Sequence, residues 1–477
     1  MSQSVCIFED KKFSNFFPLS LSQPVFDLRI GMRFLRARLQ EEFAGVSVQV
    51  ILRDYLAPVF VLRSPEIEVN VEPIGETLFL NGRLLCFGDE LKGIVEKVSS
   101  NQIAVKGGYV VAARLPVAPA RDFAAYIRKR VSEETIEKLC DELRELAEVG
   151  KPKRPSRKRP LTPEQAGEGT YEDVHAVGQD AVAEKPPVEL TNLIAKHGVA
   201  QIELPEARLL SFPWQLIEFN PQVIADDFSK LRFRGQSEES VVYPGVQITN
   251  EENVLIGEGT VIKSGVVLDA TEGPITIGDG AVVMPNAAVI GPASIGPHSI
   301  VKPLAQILPG TSVGEVCKIG GEVGATIFGN YTNKQHDGYL GHSYLGDWVN
   351  IGAGSTNSDL KNNYSYVRMW CAGAVKETGR QFLGTIIGDH TKTGINSLFT
   401  TGAVVGFNCN IFGSRISPKF VPSFSWGQGD DLAEYDLARA MQTAEVVMDR
   451  RTMKFERAHR ALFQKIFEIS LRCNRNV

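Results

Sequence analysis

Cysteine is scarce in this chain, and its spacing indicates no metal site. Among 477 residues there are seven cysteines, odd in number and without a C-x-x-C pair. Neither a zinc ribbon nor a disulfide-rich secreted scaffold is therefore indicated. We expect small buried thiols in a reducing cytosol: Cys6, Cys86, Cys140, Cys317, Cys371, Cys409 and Cys473.

Long apolar runs and an excess of positive charge are also missing. No segment reaches the ~20 apolar residues of a membrane helix, and residues 4–10 lack the basic and apolar stretches of a signal peptide. The net charge of -5 favours no polyanionic partner. We therefore expect a cytoplasmic protein that binds neither membrane nor nucleic acid.

Residues 1–149 and 188–245 have the pattern of one mixed α/β domain. Short apolar, β-branched runs at 5–8 and 48–52 predict buried strands, and the periodicity of 28–43 predicts a helix between them. A strand–helix–strand order favours a parallel or mixed sheet flanked by helices.

Residues 150–187 interrupt this domain. They begin with a basic, proline-rich stretch at 151–160 and contain few large apolar residues. Such a segment cannot form a core, so we predict a disordered insertion. The basic stretch is interpreted as a solvated loop, with a nucleic-acid patch as the alternative.

From residue 254 an aliphatic residue returns at every sixth position. Each six-residue unit would form one face of a triangular prism, with its aliphatic side chain stacked inward. This period predicts a left-handed parallel β-helix over residues 246–415, followed by a C-terminal helical segment at 416–477. The longest series is Ile277, Val283, Val289, Ile295, Val301, Ile307, Val313 and Ile319.

Two interruptions of the repeat, at 322–340 and 357–384, predict loops that leave the prism, where functional residues are common. The first contains His336, and His342 follows it. A neutral imidazole can accept the proton of an amine that attacks a thioester. Each histidine is a candidate general base, with a surface role as the alternative.

Two segments around these histidines carry a specific pattern. They are K-I-G-G-E at 318–322 and H-D-G-Y-L-G-H-S-Y-L-G-D-W-V-N-I-G-A-G at 336–354. This pattern resembles the acetyltransferase domain of the GlmU family. That family acetylates glucosamine-1-phosphate with acetyl-CoA and couples the product to UTP.

The resemblance implies a role for five residues of this chain. His336 matches the family's general base, and it meets the family spacing to Tyr339 and Asn350, which would contact the sugar phosphate. Glu322 would orient the base or the amine. Ala353 would lie beside the thioester of the bound coenzyme A.

The first domain resembles a divergent GlmU branch in P-L-S-L-S-Q-P-V-F-D-L-R-I-G at 18–31 and in the N-G-R turn that begins at Asn81. The resemblance implies an α/β nucleotidyltransferase-like domain. The chain lacks the glycine-rich loop that usually cradles a triphosphate, and Gln23 stands where the branch usually has an arginine. Arg29 and Asn81 are the candidate substrate-binding residues, and Arg33 is a further candidate.

Nucleotidyl transfer also implies Mg²⁺, which bridges phosphates. No motif identifies its ligands. Asn81, Asn220, Asp226 and Asp227 are candidates, each with a structural role as the alternative. In the second loop, four basic residues could bind the phosphates of the sugar or of coenzyme A: Lys361, Arg368, Lys376 and Arg380.

Three functions remain open. The first is a bifunctional homotrimeric enzyme that uses acetyl-CoA, UTP, Mg²⁺ and a sugar phosphate to make UDP-N-acetylglucosamine. The second is a sugar-1-phosphate nucleotidyltransferase whose β-helix is only a trimerisation scaffold. The third is a non-catalytic assembly protein.

Overall fold

The computed structural model describes residues 4–149, 186–231, 235–429 and 431–473. The predicted insertion at 150–187 lies outside this part of the chain except for its last two positions. Within the described residues, no helix is both long and apolar enough to cross a membrane.

A seven-stranded mixed sheet forms the centre of the first domain. Its strands in chain order are β1 (Ser4–Phe8), β2 (Val48–Ile51), β3 (Glu68–Val69), β4 (Thr77–Asn81), β5 (Gln102–Lys106), β6 (Tyr109–Leu115) and β7 (Ala200–Glu203). Their spatial order is β3-β2-β1-β4-β6-β5-β7, with β3, β2, β1 and β4 parallel and β6 antiparallel to β4. The predicted α/β fold is confirmed, and the carboxyl ends of β1, β2 and β4 share one edge.

The helices of this domain are α1 (Leu35–Glu41), α2 (Ala57–Arg63), α3 (Glu90–Lys97), α4 (Val117–Arg130), α5 (Glu133–Val149), α6 (Val188–His197) and α7 (Pro213–Ser229). The helix predicted at 28–43 begins only at Leu35, so the start of that prediction is wrong. Arg29–Ile30 and Arg33–Phe34 instead form a short hairpin. Gly31 at its turn has φ +64°, a conformation that glycine adopts without Cβ strain.

From residue 235 onward, short parallel strands stack on the three faces of a prism. The first face contains Gly235–Gln236, Val254–Ile256, Ile275–Ile277, Ala293–Ile295, Thr311–Val313, Ile327–Phe328, Tyr344–Leu345, Ile386–Ile387, Val404–Val405 and Phe420–Val421. The second contains Val241–Val242, Val261–Ile262, Val282–Val283, Ile300–Val301, Lys318–Ile319 and Asn333–Lys334. The third contains Gln247–Thr249, Val267–Asp269, Ala288–Ile290, Gln306–Ile307, Glu322–Gly324 and Tyr339–Gly341.

Later coils add further strands to the prism. A four-stranded sheet comprises Lys392–Thr393, Asn410–Ile411, Ser425–Gln428 and Asp431–Glu434, and Thr356–Asn357 pairs with Leu398–Phe399. The second loop forms an antiparallel hairpin of Arg368–Cys371 and Ala374–Glu377.

The inward stacking predicted from the six-residue period is confirmed. Ile277 pairs in register with Ile295, which lies one coil of eighteen residues further on. All eight aliphatic residues of the series from Ile277 to Ile319 are at most 1% exposed. The burial of these side chains, each worth roughly 1.5–3 kcal/mol, stabilises the prism.

Helices α8 (Leu437–Asp449) and α9 (Arg457–Arg472) follow the prism, and α9 packs on α5 of the first domain. Cys140, near the middle of α5, and Cys473, directly after the end of α9, form a disulfide. The expectation that all cysteines are free thiols is therefore wrong for this pair. Their separation of 333 residues explains why spacing gave no sign of it.

A buried acidic pair lies where the first domain meets the prism. The carboxylate of Asp389 accepts hydrogen bonds from the Ser22 hydroxyl at 2.7 Å and from the backbone N–H of Asp347 at 2.9 Å. Arg63 lies 3.5 Å from the Asp347 carboxylate. Burial, together with the nearby Asp347, raises the pKa of Asp389 to about 7.

The Asp389→Asn substitution should therefore change how stability depends on pH. The native carboxyl keeps its proton up to about pH 7, whereas the unfolded one loses it above its ordinary value of 3.8. The free energy of unfolding should fall between about pH 4 and pH 7, by on the order of a few kcal/mol. The free energy of unfolding, measured with urea at pH 5 and at pH 7, should fall less between these two pH values in the variant than in the unsubstituted protein.

The matched control is Asp279→Asn, because Asp279 follows Ile-Gly in the same repeat position but is exposed. It should leave the pH dependence of unfolding as it is in the unsubstituted protein. If the Asp389 variant and the unsubstituted protein lose equal stability between pH 5 and pH 7, the raised pKa of Asp389 is contradicted.

Candidate functional site

The residues predicted for acetyl transfer lie on consecutive coils along one edge of the prism. Glu322 pairs with Tyr339 on the third face, and Asn333 pairs with Asn350 at the end of the second. The backbone N–H of Gly354, beside Ala353, donates to the carbonyl of Asp337 at 3.1 Å. The structure therefore brings His336, Tyr339, Asn350, Ala353 and Glu322 into one neighbourhood, and their roles stay predictions.

The side chain of His336 is exposed on this edge. Within the described residues its imidazole forms no hydrogen bond or ion pair, so both ring nitrogens are available to a ligand. A general base must reach a substrate from outside the chain, and this placement permits that.

The backbone of His336 is held by a buried cation that the sequence analysis missed. Lys334 is 1% exposed and occupies an inward position, in register with Ile319. Its ammonium group donates to the carbonyls of His336 at 2.8 Å and Gly320 at 2.9 Å. Burial lowers the pKa of Lys334 to about 8. The sequence carries one signal of this role, because a lysine stands at a position where the six-residue repeat requires an aliphatic residue.

Tyr339 belongs to a second polar cluster, at the next corner of the prism. Its hydroxyl donates to Asp359 at 2.6 Å, and the same carboxylate oxygen lies 2.8 Å from Nδ1 of His342. The ring of Phe382 packs on His342 with 5.3 Å between centroids. This arrangement orients the imidazole, and it makes His342 the competing candidate for the base.

Asp359 is a site residue to which the sequence analysis gave no role. Burial acts to raise its pKa, but the hydrogen bonds from His342 and Tyr339 outweigh burial and hold the pKa below its usual range. The carboxylate therefore stays charged at neutral pH and fixes both partners. The S-D-L-K-N-N-Y segment at 358–364 was the signal that could have identified it.

The first domain has a small cavity of about 30 Å³ at the carboxyl ends of β1 and β4. Asp10, Lys11, Asn81, Tyr109 and Arg130 contribute to its lining. Ligands of parallel α/β sheets commonly bind at this edge. The cavity therefore marks a candidate substrate site.

Asn81 lies at this cavity but is fully buried. Its amide donates to Asp10 at 3.0 Å and to the Val110 carbonyl at 2.8 Å. Arg83 contacts both carboxylate oxygens of Asp10. Burial acts to raise the pKa of Asp10, but Arg83 more than offsets it, so the pKa is lowered. Substrate binding by Asn81 stays a prediction.

Arg29, the other candidate of this domain, lies at the contact with the prism and is 5% exposed. Its guanidinium donates to the Met32 carbonyl and to the side chain of Asn330, both at 2.8 Å. Its backbone N–H donates to the hydroxyl of Tyr344 at 2.8 Å. The structure gives Arg29 protein partners on both sides of the domain contact, and its phosphate contact stays a prediction.

The candidate metal ligands near α7 are engaged by protein groups. Arg38 forms ion pairs with both Asp226 and Asp227. Asn220 accepts from the Gly31 N–H at 2.7 Å and donates to the Gly310 carbonyl at 2.8 Å. Among the described residues, no group of three or more His, Cys, Asp or Glu side chains is placed to hold a metal ion.

Gln23 is buried, and its backbone carbonyl accepts a hydrogen bond from Arg53 at 3.1 Å. Arg53 is itself buried in a bidentate ion pair with Glu9. Arg33 forms ion pairs with Glu41 and Asp227. Each of these arginines thus already has an acidic partner.

Comparison with known proteins bears on both domains. A family model described as sugar nucleotidyl transferase matches residues 5–150. The bifunctional protein GlmU of Synechococcus elongatus is 28% identical over 219 residues, covering 42% of this chain and 44% of the relative. A bifunctional sugar-1-phosphate nucleotidylyltransferase/acetyltransferase of Sulfurisphaera tokodaii is 29% identical over 242 residues, covering 49% of this chain and 52% of the relative.

The chain spans about half the length of these relatives. Among solved structures, a UDP-N-acetylglucosamine acyltransferase covers 50% of this chain and 94% of its own, at 15% identity and a TM-score of 0.25, which is too low to carry an argument. The first domain is thus similar to sugar nucleotidyl transferases, and about half of the chain is similar to bifunctional GlmU-type proteins.

Proposed function

We propose that the protein is a bifunctional transferase. It would N-acetylate glucosamine-1-phosphate from acetyl-CoA and then transfer a uridylyl group from UTP, giving UDP-N-acetylglucosamine. The observation that carries the proposal is the gathering of His336, Tyr339, Asn350 and Ala353 along one prism edge. The names of the two relatives support both activities.

In the acetyl-transfer step, the amine nitrogen of the sugar attacks the thioester carbonyl carbon. The C–N bond forms, the C–S bond breaks, and the thiolate leaves. The neutral imidazole of His336 accepts the proton that the amine loses and can pass it to the departing sulfur. Tyr339 and Asn350 hold the acceptor, and Glu322, opposite Tyr339, orients the amine.

Nucleotidyl transfer is assigned to the cavity at the carboxyl ends of β1 and β4. Arg130 supplies a cation to its lining and forms no ion pair among the described residues. Mg²⁺ belongs to the proposal as the counter-ion of UTP. Asp10 is neutralised by Arg83, so the residues present do not form a ready metal site, and no step is assigned to the ion.

The direct experiment supplies purified protein with acetyl-CoA, glucosamine-1-phosphate, UTP and Mg²⁺ and identifies the products by mass spectrometry. UDP-N-acetylglucosamine is the expected product, and omission of acetyl-CoA should prevent its formation. Conversion of N-acetylglucosamine-1-phosphate and UTP without any acetyl transfer would instead favour the second candidate, a nucleotidyltransferase with a scaffolding prism.

We also propose that three chains associate side by side in the cytoplasm. Apolar side chains on the late coils remain exposed, including Ile395 at 70% and Ile416 at 58%, and cyclic closure would bury such surface. Light scattering at micromolar concentration should give three times the 52.3 kDa chain mass. A monomer at that concentration would count against a site shared between chains.

A further inference from the structure

The corner of the prism that carries His336 is longer than the same corner on the preceding coil. On that preceding coil, two residues, 320–321, connect the second face to the third, whereas four residues, 335–338, connect them on the next coil. The longer corner cannot pair residue by residue with the shorter one. Its backbone carbonyls therefore need partners other than the strand ladder.

Lys334 supplies such a partner for the carbonyl of His336. Its ammonium group donates to that carbonyl at 2.8 Å and to the carbonyl of Gly320 at 2.9 Å. Gly321, at φ +73°, leaves room for this contact, because a Cβ there would lie 2.7 Å from Nζ of Lys334 and 2.9 Å from the carbonyl oxygen of His336. One side chain thus links the longer corner to the shorter one at the residue proposed as the base.

A cation is an unfavourable choice for the inward position that Lys334 occupies. The residue is 1% exposed and in register with Ile319, so an aliphatic side chain would stack there without the cost of burying a charge. Burial lowers the pKa of Lys334 to about 8, whereas Asp337 and Glu322 act to raise it, so the ammonium group keeps its proton at neutral pH. Packing alone does not account for this lysine. What it adds is two charge-assisted hydrogen bonds.

We propose that Lys334 is a positioning residue for acetyl transfer, which acts by fixing the backbone of His336 relative to the bound amine and thioester. This inference rests on the acetyl transfer proposed above. The imidazole of His336 is exposed and has no hydrogen-bonding partner in the described part of the chain, so its place is set by the backbone that carries it. A shift of a catalytic group by about 1 Å can cost roughly 100-fold in rate.

The test begins with Lys334→Met in the full-length protein. Methionine removes the ammonium group but keeps an unbranched side chain that can fill the inward position. The kcat of acetyl transfer, followed as release of the coenzyme A thiol, should fall ~10- to 100-fold. The KM values for acetyl-CoA and glucosamine-1-phosphate should not change, because Tyr339 and Asn350 stay in place. Unchanged pyrophosphate release from UTP would show that the preparation is folded.

The decisive measurement repeats the substitution in the His336→Ala background. If Lys334 acts through His336, its loss should cause no further fall in acetyl transfer there, because the effects of coupled residues are not additive. An equal fall in both backgrounds would indicate a merely structural role and overturn the proposal. Gly321→Ala displaces the same contact but keeps the cation. It should also lower kcat, and it provides the test if the methionine variant does not fold.

Lys419→Met is the matched control. Lys419 directly precedes Phe420–Val421, the last strand of the first face, and its ammonium group also donates to two backbone carbonyls, those of Arg368 and Thr401. Burial lowers its pKa to about 8 as well. This variant should keep the kcat of the unsubstituted protein.

Two further outcomes separate this inference from the function on which it rests. Full kcat in Lys334→Met, measured beside an active unsubstituted protein, would overturn the positioning role and leave the proposed function standing. Absence of acetyl transfer in the unsubstituted protein would reject the proposed function, and the positioning role with it.

Discussion

The His336→Ala substitution should lower acetyl transfer at least ~100-fold, since a positioned general base contributes typically 10²–10⁴-fold to such a step. His336 is exposed, meets the spacing to Tyr339 and Asn350, and lies on the edge where those residues gather. The measurement is the rate of coenzyme A thiol release with glucosamine-1-phosphate as acceptor. Pyrophosphate release from UTP, measured on the same preparation, should survive because it is assigned to the other domain.

His342→Ala is the matched control, because it removes a second imidazole six residues further on. His342 contacts Asp359 and Phe382, so its loss should disturb the orientation of Tyr339 and cost much less activity. If the two variants exchange their effects, His342 is the base and Asp359 orients it. If neither variant loses acetyl transfer, the prism carries no acyltransferase site.

The prism could be predicted from sequence because its inward packing contacts repeat at a fixed interval along the chain. One inward aliphatic residue per face, repeated on stacked coils, must recur at a fixed interval. Ile277 and Ile295 illustrate this, since they are eighteen residues apart and in register. Departures from the period are also visible, and Lys334 is one of them. Its contacts could not be predicted, because its partners, the carbonyls of Gly320 and His336, are backbone groups that do not depend on residue type.

Contacts between distant parts of the chain could not be predicted in this way. The Cys140–Cys473 disulfide and the contact of Arg29 with Asn330 both depend on how the first domain, the prism and the C-terminal helices pack together. Asp359 is a similar case, because its partners Tyr339 and His342 lie on the preceding coil. The local sequence pattern predicts the strands and helices and which of their faces are buried. These side-chain partners depend on how distant elements pack together.

In the first domain, Arg130→Met should reduce pyrophosphate release from UTP by roughly 10- to 150-fold, corresponding to about 1.5–3 kcal/mol for a lost charge-assisted contact. Arg130 lines the cavity at the carboxyl ends of β1 and β4, where its guanidinium lies over the ring of Tyr126 at 5.4 Å. The assay uses N-acetylglucosamine-1-phosphate, UTP and Mg²⁺. Arg128→Met, on the exposed side of α4, removes the same charge and should retain activity.

Arg29→Ala tests the competing location for the triphosphate. Arg29 is buried and bonded to Met32 and Asn330, so its loss should lower the free energy of unfolding as well as any phosphate contact. Activity must therefore be expressed per folded protein, at a temperature well below unfolding. Loss of activity in the folded Arg29 variant, with full activity in the Arg130 variant, would move the phosphate site from the cavity to the hairpin at residues 29–34. Loss in the Arg130 variant alone would place the triphosphate at the sheet edge, because only there would the removed charge have faced the substrate.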